Sequence, residues 1–134
     1  LLYLGLNCRH MDDDYHQRIC AGNRTEEDAA IGISYSGCSR DTVEAIKAAK
    51  KSKATTIVIT NFRDSVISRY ADYLICTSQE QLFYGDAIFS RTSQLVLVDM
   101  IYMGLLLSDY DRYSKRLDAS SKLIRNKAYM DEEL

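Results

Sequence analysis

Residues 29–60, AAIGISYSGCSRDTVEAIKAAKKSKATTIVIT, contain the clearest indication of the fold. Its first part, Ala29–Ser34, is an apolar run bounded by polar residues, a pattern typical of a strand buried on both faces in a parallel sheet. Asp41–Lys53 keeps helical spacing of its apolar residues, and lysines crowd its end, where they match the helix dipole. Thr55–Thr60 is rich in β-branched residues and predicts the next strand. Together these segments predict a parallel β-α-β unit.

The alternation of strands and helices continues after residue 60. A turn leads into a short helix around Ser65–Tyr70, and Tyr73–Cys76 predicts another short strand. This order predicts an α/β fold, a three-layer αβα sandwich in which a doubly wound parallel sheet carries helices on both faces. Tyr84–Leu107 predicts a long helix that is apolar nearly all round its centre and therefore buried. Asp111–Tyr129 predicts a charged, exposed helix.

Two further elements are predicted before residue 29. Leu1–Leu6 is predicted to form a short buried strand, and Met11–Ala21 to form a helix with acidic residues early, stopped by Gly22-Asn23. The chain begins so abruptly that we expect a further segment to precede Leu1 in the full protein.

The composition places the chain among ordinary globular proteins. Its 134 residues suit one domain, residues 1–134, with 46% hydrophobic and 27% charged residues. The 17 basic and 19 acidic residues give a net charge of −2, so the domain itself has no general attraction to DNA. No apolar run approaches the roughly 20 residues of a membrane span, and no signal peptide is visible. Reduced thiols in a cytoplasmic protein, with no metal site, are expected because the four cysteines lie far apart: Cys8, Cys20, Cys38 and Cys76.

The turn after Ala29–Ser34 carries the candidate chemistry. Ligands of open α/β sheets bind beyond the carboxyl ends of the strands. There, the hydroxyls of Ser34, Ser36 and Ser39, with the backbone N–H groups of a helix start, supply the donors that a dianionic phosphate needs. Gly37 lets the backbone approach such a ligand closely. Turn chemistry alone leaves open the alternative that Ser39 merely caps the helix and that Ser36-Gly37 merely turns the chain.

Residues 33–45, ISYSGCSRDTVEA, resemble the signature of the sugar isomerase (SIS) domain, I-S-x-S-G-x-T-x-(D/E)-T-x-E-A. In that family the loop embraces the phosphate of a sugar phosphate. The resemblance implies that hydroxyls come from Ser34, Ser36 and Ser39, and backbone N–H groups from Gly37 and Cys38. Serine stands at position 39 where threonine is more usual, and this keeps the hydroxyl.

Other segments point to one branch of the family. Leu4-Gly5, His16-Gln17, residues 69–73, Glu80, and residues 90–99 are similar to the effector domains of RpiR-type transcriptional regulators. The resemblance implies a homodimer or tetramer and an N-terminal helix-turn-helix domain, absent from this chain, that binds DNA. Glu80 is then expected to hold sugar hydroxyls. The chain departs from the family pattern because it starts after the usual first strand and its glycine-rich G-x-G-x-S turn, and because Gly85-Asp86 has an unexpected spacing.

The predicted function is therefore a sugar-phosphate-sensing effector domain of a regulator of carbohydrate metabolism, without catalysis and without a cofactor. The alternative is a sugar-phosphate isomerase or phosphosugar lyase on the same fold, with Glu80 as base. Such an isomerase often uses a histidine, but His16 is predicted to lie at the surface. Cys38 at a helix start could be a reactive thiol, although a neutral loop position is the favoured interpretation. Tyrosines near the last two helices are expected at a subunit interface or in the core.

Overall fold

The computed structural model describes residues 1–77 and 91–125. They divide into two compact units, His10–Leu97 and a second that combines Leu1–Arg9 with the chain from Val98 onward. The regular elements are α1 (Asp14–Gly22), β1 (Ala29–Ser34), α2 (Arg40–Lys51), β2 (Thr55–Thr60), β3 (Tyr73–Cys76), α3 (Thr92–Ser108) and α4 (Tyr110–Ile124), with short 3₁₀ turns at Leu2–Leu4 and Ile67–Tyr70.

The three strands form one parallel sheet in the order β1-β2-β3. All three match their predicted ranges, which confirms the α/β class from the sequence. The register pairs Ser34 with Thr60 and Thr60 with Cys76, so the three strands end side by side at one edge of the sheet. The residues that follow β1, β2 and β3 therefore lie at the same edge of the sheet.

One face of the sheet is covered by α2 and by the turn Ile67–Tyr70. The helix begins after Ser39, which has extended backbone angles, and its last turn carries Lys50 and Lys51 as the dipole favours. A cluster of fully or nearly fully buried side chains forms the core between these elements: Val43, Ile46, Val58 and Ile67. Helix α1 packs against α2 and is capped by the Asp13 carboxylate, which accepts the His16 N–H at 2.9 Å. The other face of the sheet leaves Ile31 and Ile33 exposed, so the prediction that β1 is buried on both faces is wrong for the single chain.

The opposite, amino-terminal edge of the sheet is held by Asp72. Its carboxylate accepts hydrogen bonds from the backbone N–H and the hydroxyl of Thr56, each at 2.9 Å, and pairs with the Lys50 ammonium. The Lys50 contact first, and then the two Thr56 bonds, lower the pKa of Asp72 from 3.8 to about 2. The lysines in the last turn of α2, predicted to match the helix dipole, thus also contribute this ion pair.

Because folding lowers the pKa of Asp72, its contribution to stability is fully present above about pH 4 and is lost as the pH falls through 2. We expect Asp72→Asn to lower the unfolding midpoint in urea at pH 7, and the difference from the unsubstituted protein to shrink between pH 4 and pH 2. Asp64→Asn, at an exposed position, is the matched control and should leave the midpoint unchanged. A difference independent of pH would contradict the assignment.

The second unit corrects one prediction. Leu1–Leu6 is not a strand, because Leu2–Leu4 forms a 3₁₀ turn that ends at Gly5 in the left-handed region, φ 71°. Helix α4 stabilises this turn, since the Arg116 guanidinium donates to the Gly5 carbonyl and the Ser120 hydroxyl to the Tyr3 carbonyl, each at 3.1 Å. A short apolar run does not distinguish the two conformations by its pattern. Leu4 is fully buried, but Leu2 and Tyr3 are exposed.

The burial predicted for the long apolar helix is also wrong. Helix α3 begins at Thr92, and the predicted start at Tyr84 lies outside the described residues. Most of its large apolar side chains are exposed in the single chain: Leu95, Val96, Val98, Met100, Met103 and Leu107. A helix that is apolar all round is buried only when neighbours cover every side, and the described residues do not supply such neighbours. Helix α4 is exposed as predicted, with no buried residue. No helix within residues 1–77 and 91–125 is long and apolar enough to cross a membrane.

Candidate functional site

The turn Ser34–Ser39 connects the carboxyl end of β1 to the amino end of α2. Ser34 is buried, whereas Ser36, Cys38 and Ser39 are exposed. The Ser34 hydroxyl accepts the Gly37 N–H at 3.2 Å and donates to the Ser39 hydroxyl at 3.4 Å. The Ser36 hydroxyl accepts the Cys38 N–H at 3.2 Å. The structure thus brings the three predicted hydroxyls into one small loop, with Ser34 organising it from beneath and two hydroxyls facing solvent.

The turn leads directly into α2, a helix of 12 residues. Ser39 occupies the N-cap position of α2, but its side chain makes no capping hydrogen bond to the first turn. The side chain of Ser39 therefore does not cap the helix, whereas Ser36-Gly37 does turn the chain as the alternative interpretation predicts. Backbone N–H groups at a helix start point outward along the axis and carry partial positive charge, which favours an anion there. Residues 34–39 contain no ionised side chain, so hydroxyls and amides alone form this surface.

Gly37 is required by its surroundings. It adopts φ 65°, and a Cβ placed on it would lie 2.3 Å from the Ser65 Oγ and 2.9 Å from the Thr60 Oγ1. Its carbonyl accepts the Ile67 N–H at 2.9 Å, which ties the turn to the 3₁₀ turn Ile67–Tyr70. The close contact leaves no space for any side chain at position 37.

Sequence reasoning missed Ser65. It is 4% exposed, and its hydroxyl has no hydrogen-bond partner in the described part of the chain. The sequence predicts a short helix around Ser65–Tyr70, but it does not indicate that Ser65 contacts Gly37 in the turn Ser34–Ser39. The contact arises because the segment after β2 packs against the segment after β1. A pattern within a few residues of Ser65 does not predict contacts between segments that are far apart in the chain.

The segment following β2 holds the turn from its other side. The Tyr35 carbonyl accepts the Asn61 N–H at 3.0 Å and the Thr60 hydroxyl at 3.2 Å. Buried Asn61 also donates its Nδ2 to the Tyr35 hydroxyl at 3.3 Å and accepts the Thr77 hydroxyl at 3.0 Å. These bonds connect the residues that follow all three strands. The turn is thereby held in one shape before any ligand arrives, which lowers the entropy lost on binding.

The remaining candidate residues are placed as follows. Glu80 lies outside the described residues. His16 is 67% exposed and its Nδ1 lies 2.6 Å from the Asp13 Oδ2, which confirms the surface prediction. Hydrogen bonds from His16, the backbone one first, lower the pKa of Asp13. Cys38 is a free, exposed cysteine whose N–H is used within the turn. Within residues 1–77 and 91–125, no three His, Cys, Asp or Glu side chains are grouped as a metal would need.

The parallel α/β sheet carries at its carboxyl edge a loop of hydroxyls and amides, a set of donors whose chemistry suits a small oxyanion. Residues 4–104 match the family model of the SIS domain. The chain belongs to the SIS domain family.

Two curated relatives of this chain are described as transcriptional regulators. It is 33% identical over 122 residues to an uncharacterized HTH-type transcriptional regulator of Caldanaerobacter subterraneus, a match that covers 90% of this chain and 43% of the relative. The Haemophilus influenzae regulator of the same description is 33% identical over 112 residues, which are 83% of this chain and 39% of that protein. The chain thus spans about two fifths of the length of these curated relatives.

The fold is also seen in solved structures. The Vibrio vulnificus NanR protein complexed with ManNAc-6P matches with a TM-score of 0.85 and 21% identity, over 96% of this chain and 49% of that one. The sugar isomerase domain of the RpiR transcription factor from Sphaerobacter thermophilus matches with a TM-score of 0.72 and 20% identity, over 94% of this chain and 67% of that one. At these identities the likeness shows the shared fold, the αβα class predicted from the sequence.

Proposed function

We propose that this chain is the effector-sensing domain of an RpiR-type transcriptional regulator and that it binds a phosphorylated sugar at Ser34–Ser39. The observation that carries the proposal is the turn itself, where the exposed hydroxyls of Ser36 and Ser39 adjoin an uncapped helix start. A phosphate dianion satisfies such donors and is stabilised by the positive end of the helix. The N–H groups of Gly37 and Cys38 donate to the Ser34 and Ser36 hydroxyls in the structure, and they bind the phosphate by exchanging those bonds for bonds to its oxygens. Glu80 holds sugar hydroxyls.

The regulator assignment is supported by relatives named as HTH-type transcriptional regulators. In the full protein a helix-turn-helix domain outside this chain binds DNA, and residues 1–134 act as one sensing domain. The proposed role is binding without turnover. It is supported by His16, the histidine weighed for ring opening, which lies exposed against Asp13. The bound ManNAc-6P of the NanR protein makes hexose 6-phosphates the first ligands to test.

The proposed assembly is a homodimer or tetramer. Support comes from α3, six of whose large apolar side chains are between 41% and 66% exposed in the single chain. An apolar surface that continues around a helix is typical of an interface between subunits. Regulation follows when the sugar phosphate binds one arrangement of the subunits more tightly than another.

Ser36→Ala is expected to weaken sugar-phosphate binding by about 10- to 100-fold, because a hydrogen bond to a charged group contributes roughly 1.5–3 kcal/mol. Isothermal titration calorimetry with glucose 6-phosphate, N-acetylglucosamine 6-phosphate, N-acetylmannosamine 6-phosphate and ribose 5-phosphate measures the effect. Ser121→Ala, at an exposed serine of α4, is the matched control and should bind like the unsubstituted protein.

Equal affinities for the Ser36→Ala and unsubstituted proteins would reject the site. Turnover of any of these sugar phosphates, followed by the appearance of an isomer, would reject the binding role in favour of an isomerase. Light scattering on the same samples gives the molecular mass, and a monomer with and without ligand would reject the assembly.

A further inference from the structure

Helix α3 buries an amide side chain, while several of its large apolar side chains are exposed. Gln94, in the first turn of the helix, is 5% exposed and is the one buried residue of α3, whose residues are all described. Leu95 beside it is 63% exposed. Burial of a polar side chain in place of an available apolar one is unfavourable unless its donors and acceptors find partners. The site of Gln94 therefore needs an explanation other than packing.

The Gln94 amide has one partner and lacks another. The Arg91 Nη1 donates to its oxygen at 3.3 Å, while its nitrogen is buried and has no hydrogen-bond partner among residues 1–77 and 91–125. Because a guanidinium only donates, this contact determines which end of the amide is oxygen and which is nitrogen. The unpartnered group is consequently an N–H donor, and the group that would satisfy it is an oxygen acceptor.

Arg91 connects Gln94 to the serine turn. Its guanidinium carbon lies 5.6 Å from the centre of the Tyr35 ring, a cation–π contact. Tyr35 stands between Ser34 and Ser36 in the turn, and its hydroxyl accepts the Asn61 Nδ2 at 3.3 Å. The exposed Arg91 side chain and the buried amide behind it thus adjoin the proposed phosphate site through one shared aromatic residue.

We propose that Gln94 forms a second subsite beside the phosphate turn and donates to a neutral oxygen of the sugar, either a hydroxyl or a carbonyl oxygen of an acylamino substituent. Arg91 is a positioning residue that orients the amide from the solvent side and moves aside as the sugar enters. This inference rests on the proposed function and adds to it, because the turn recognises the phosphate whereas Gln94 distinguishes the carbon skeleton attached to it. A neutral acceptor is assigned because the serine turn already takes the phosphate, so that the oxygens left for Gln94 are those of the sugar itself.

The subsite predicts a selective loss of affinity. Gln94→Leu keeps the volume but removes the donor, so we expect the tightest-binding hexose 6-phosphate of the three tested above to bind about tenfold more weakly. Inorganic phosphate, which carries no sugar oxygen, should bind Gln94→Leu and the unsubstituted protein equally. Gln94→Met, also of similar volume, should show the same pattern, and a circular dichroism melt of each variant reports whether it folds.

The two ligands separate the possible outcomes. An unchanged hexose-phosphate affinity in a folded Gln94→Leu protein, or an equal loss for both ligands, would overturn the subsite while leaving the phosphate site in place. Failure of the unsubstituted protein to bind either ligand would instead overturn the proposed function and the subsite together. Unfolding of both Gln94 variants would also overturn the subsite, since it would show that the amide is needed for the structure itself.

Arg91 is tested through the same ratio of affinities. Arg91→Ala is expected to weaken hexose-phosphate binding about fivefold with little effect on inorganic phosphate, and Arg91→Lys, which keeps one cationic donor, should recover part of the loss. An equal loss for both ligands would show that Arg91 acts on the phosphate directly, and this would reject its positioning role.

Discussion

Gly37→Ala is expected to lower the free energy of unfolding by about 3 kcal/mol and to remove detectable sugar-phosphate binding. The left-handed conformation costs a residue with a Cβ roughly 1–2 kcal/mol, and overpacking adds roughly 1–3 kcal/mol. Both penalties apply here because φ is 65° and the new methyl would lie 2.3 Å from the Ser65 Oγ. Relief of the contact requires the turn to move, and that separates the N–H groups from the hydroxyls. Urea unfolding and calorimetry measure the two effects.

Two further variants test whether the close contact at position 37 causes the loss of stability. Gly104→Ala in α3 has open space around the added methyl and should be neutral or slightly stabilising, since alanine favours helices. Gly37→Ala combined with Ser65→Gly removes the two closest contacts and should recover part of the lost stability, although the backbone penalty remains. Full stability of Gly37→Ala alone would show that the turn does not need its present shape.

Ile67→Ala is expected to lower the free energy of unfolding by about 3 kcal/mol, within the roughly 2–5 kcal/mol typical of truncating a buried isoleucine to alanine. Ile67 is fully buried and belongs to the core cluster with Val43, Ile46 and Val58. The cost arises from lost apolar burial and from the cavity left between α2 and the sheet. Urea unfolding monitored by circular dichroism measures it.

The adjacent residue supplies the control. Val66 is 42% exposed, so Val66→Ala should change the free energy of unfolding by no more than about 0.5 kcal/mol. The Ile67 backbone N–H still reaches the Gly37 carbonyl in Ile67→Ala, and we therefore expect sugar-phosphate affinity to be kept in whatever fraction is folded. Equal costs at positions 66 and 67 would contradict the assignment of Ile67 to the core.

The sheet could be predicted from sequence because its signal is local. Thr55–Thr60 and Tyr73–Cys76 are short apolar runs between polar turns, and both form strands within the bounds predicted for them. Helix α1 begins at Asp14, a few residues after the predicted Met11, because the Asp13 side chain caps it there. The Leu1–Leu6 run was misread because Gly5 and contacts from α4 decide its conformation, and those contacts come from residues over a hundred positions away.

The candidate site likewise contains residues that the sequence predicts and residues that only the structure identifies. The serine turn could be located from its position after a predicted strand, and its signature supplied the phosphate interpretation. Ser65 and Gln94 carried no sequence signal of their own. A serine before a short helix and a glutamine in an apolar helix are ordinary residues until their burial is known. Glu80 stays a prediction.

Sequence alone determined the parallel strands, the helix between the first two, and the group of hydroxyls at their junction, because each depends on neighbours within a few residues along the chain. The contact of Ser65 with Gly37, and the burial of Gln94 beside an exposed Leu95, depend on tertiary packing instead. Whether a side chain is buried, and whether a buried donor lacks a partner, depends on how segments far apart in the sequence pack together. Local periodicity cannot specify which segments come to share that space.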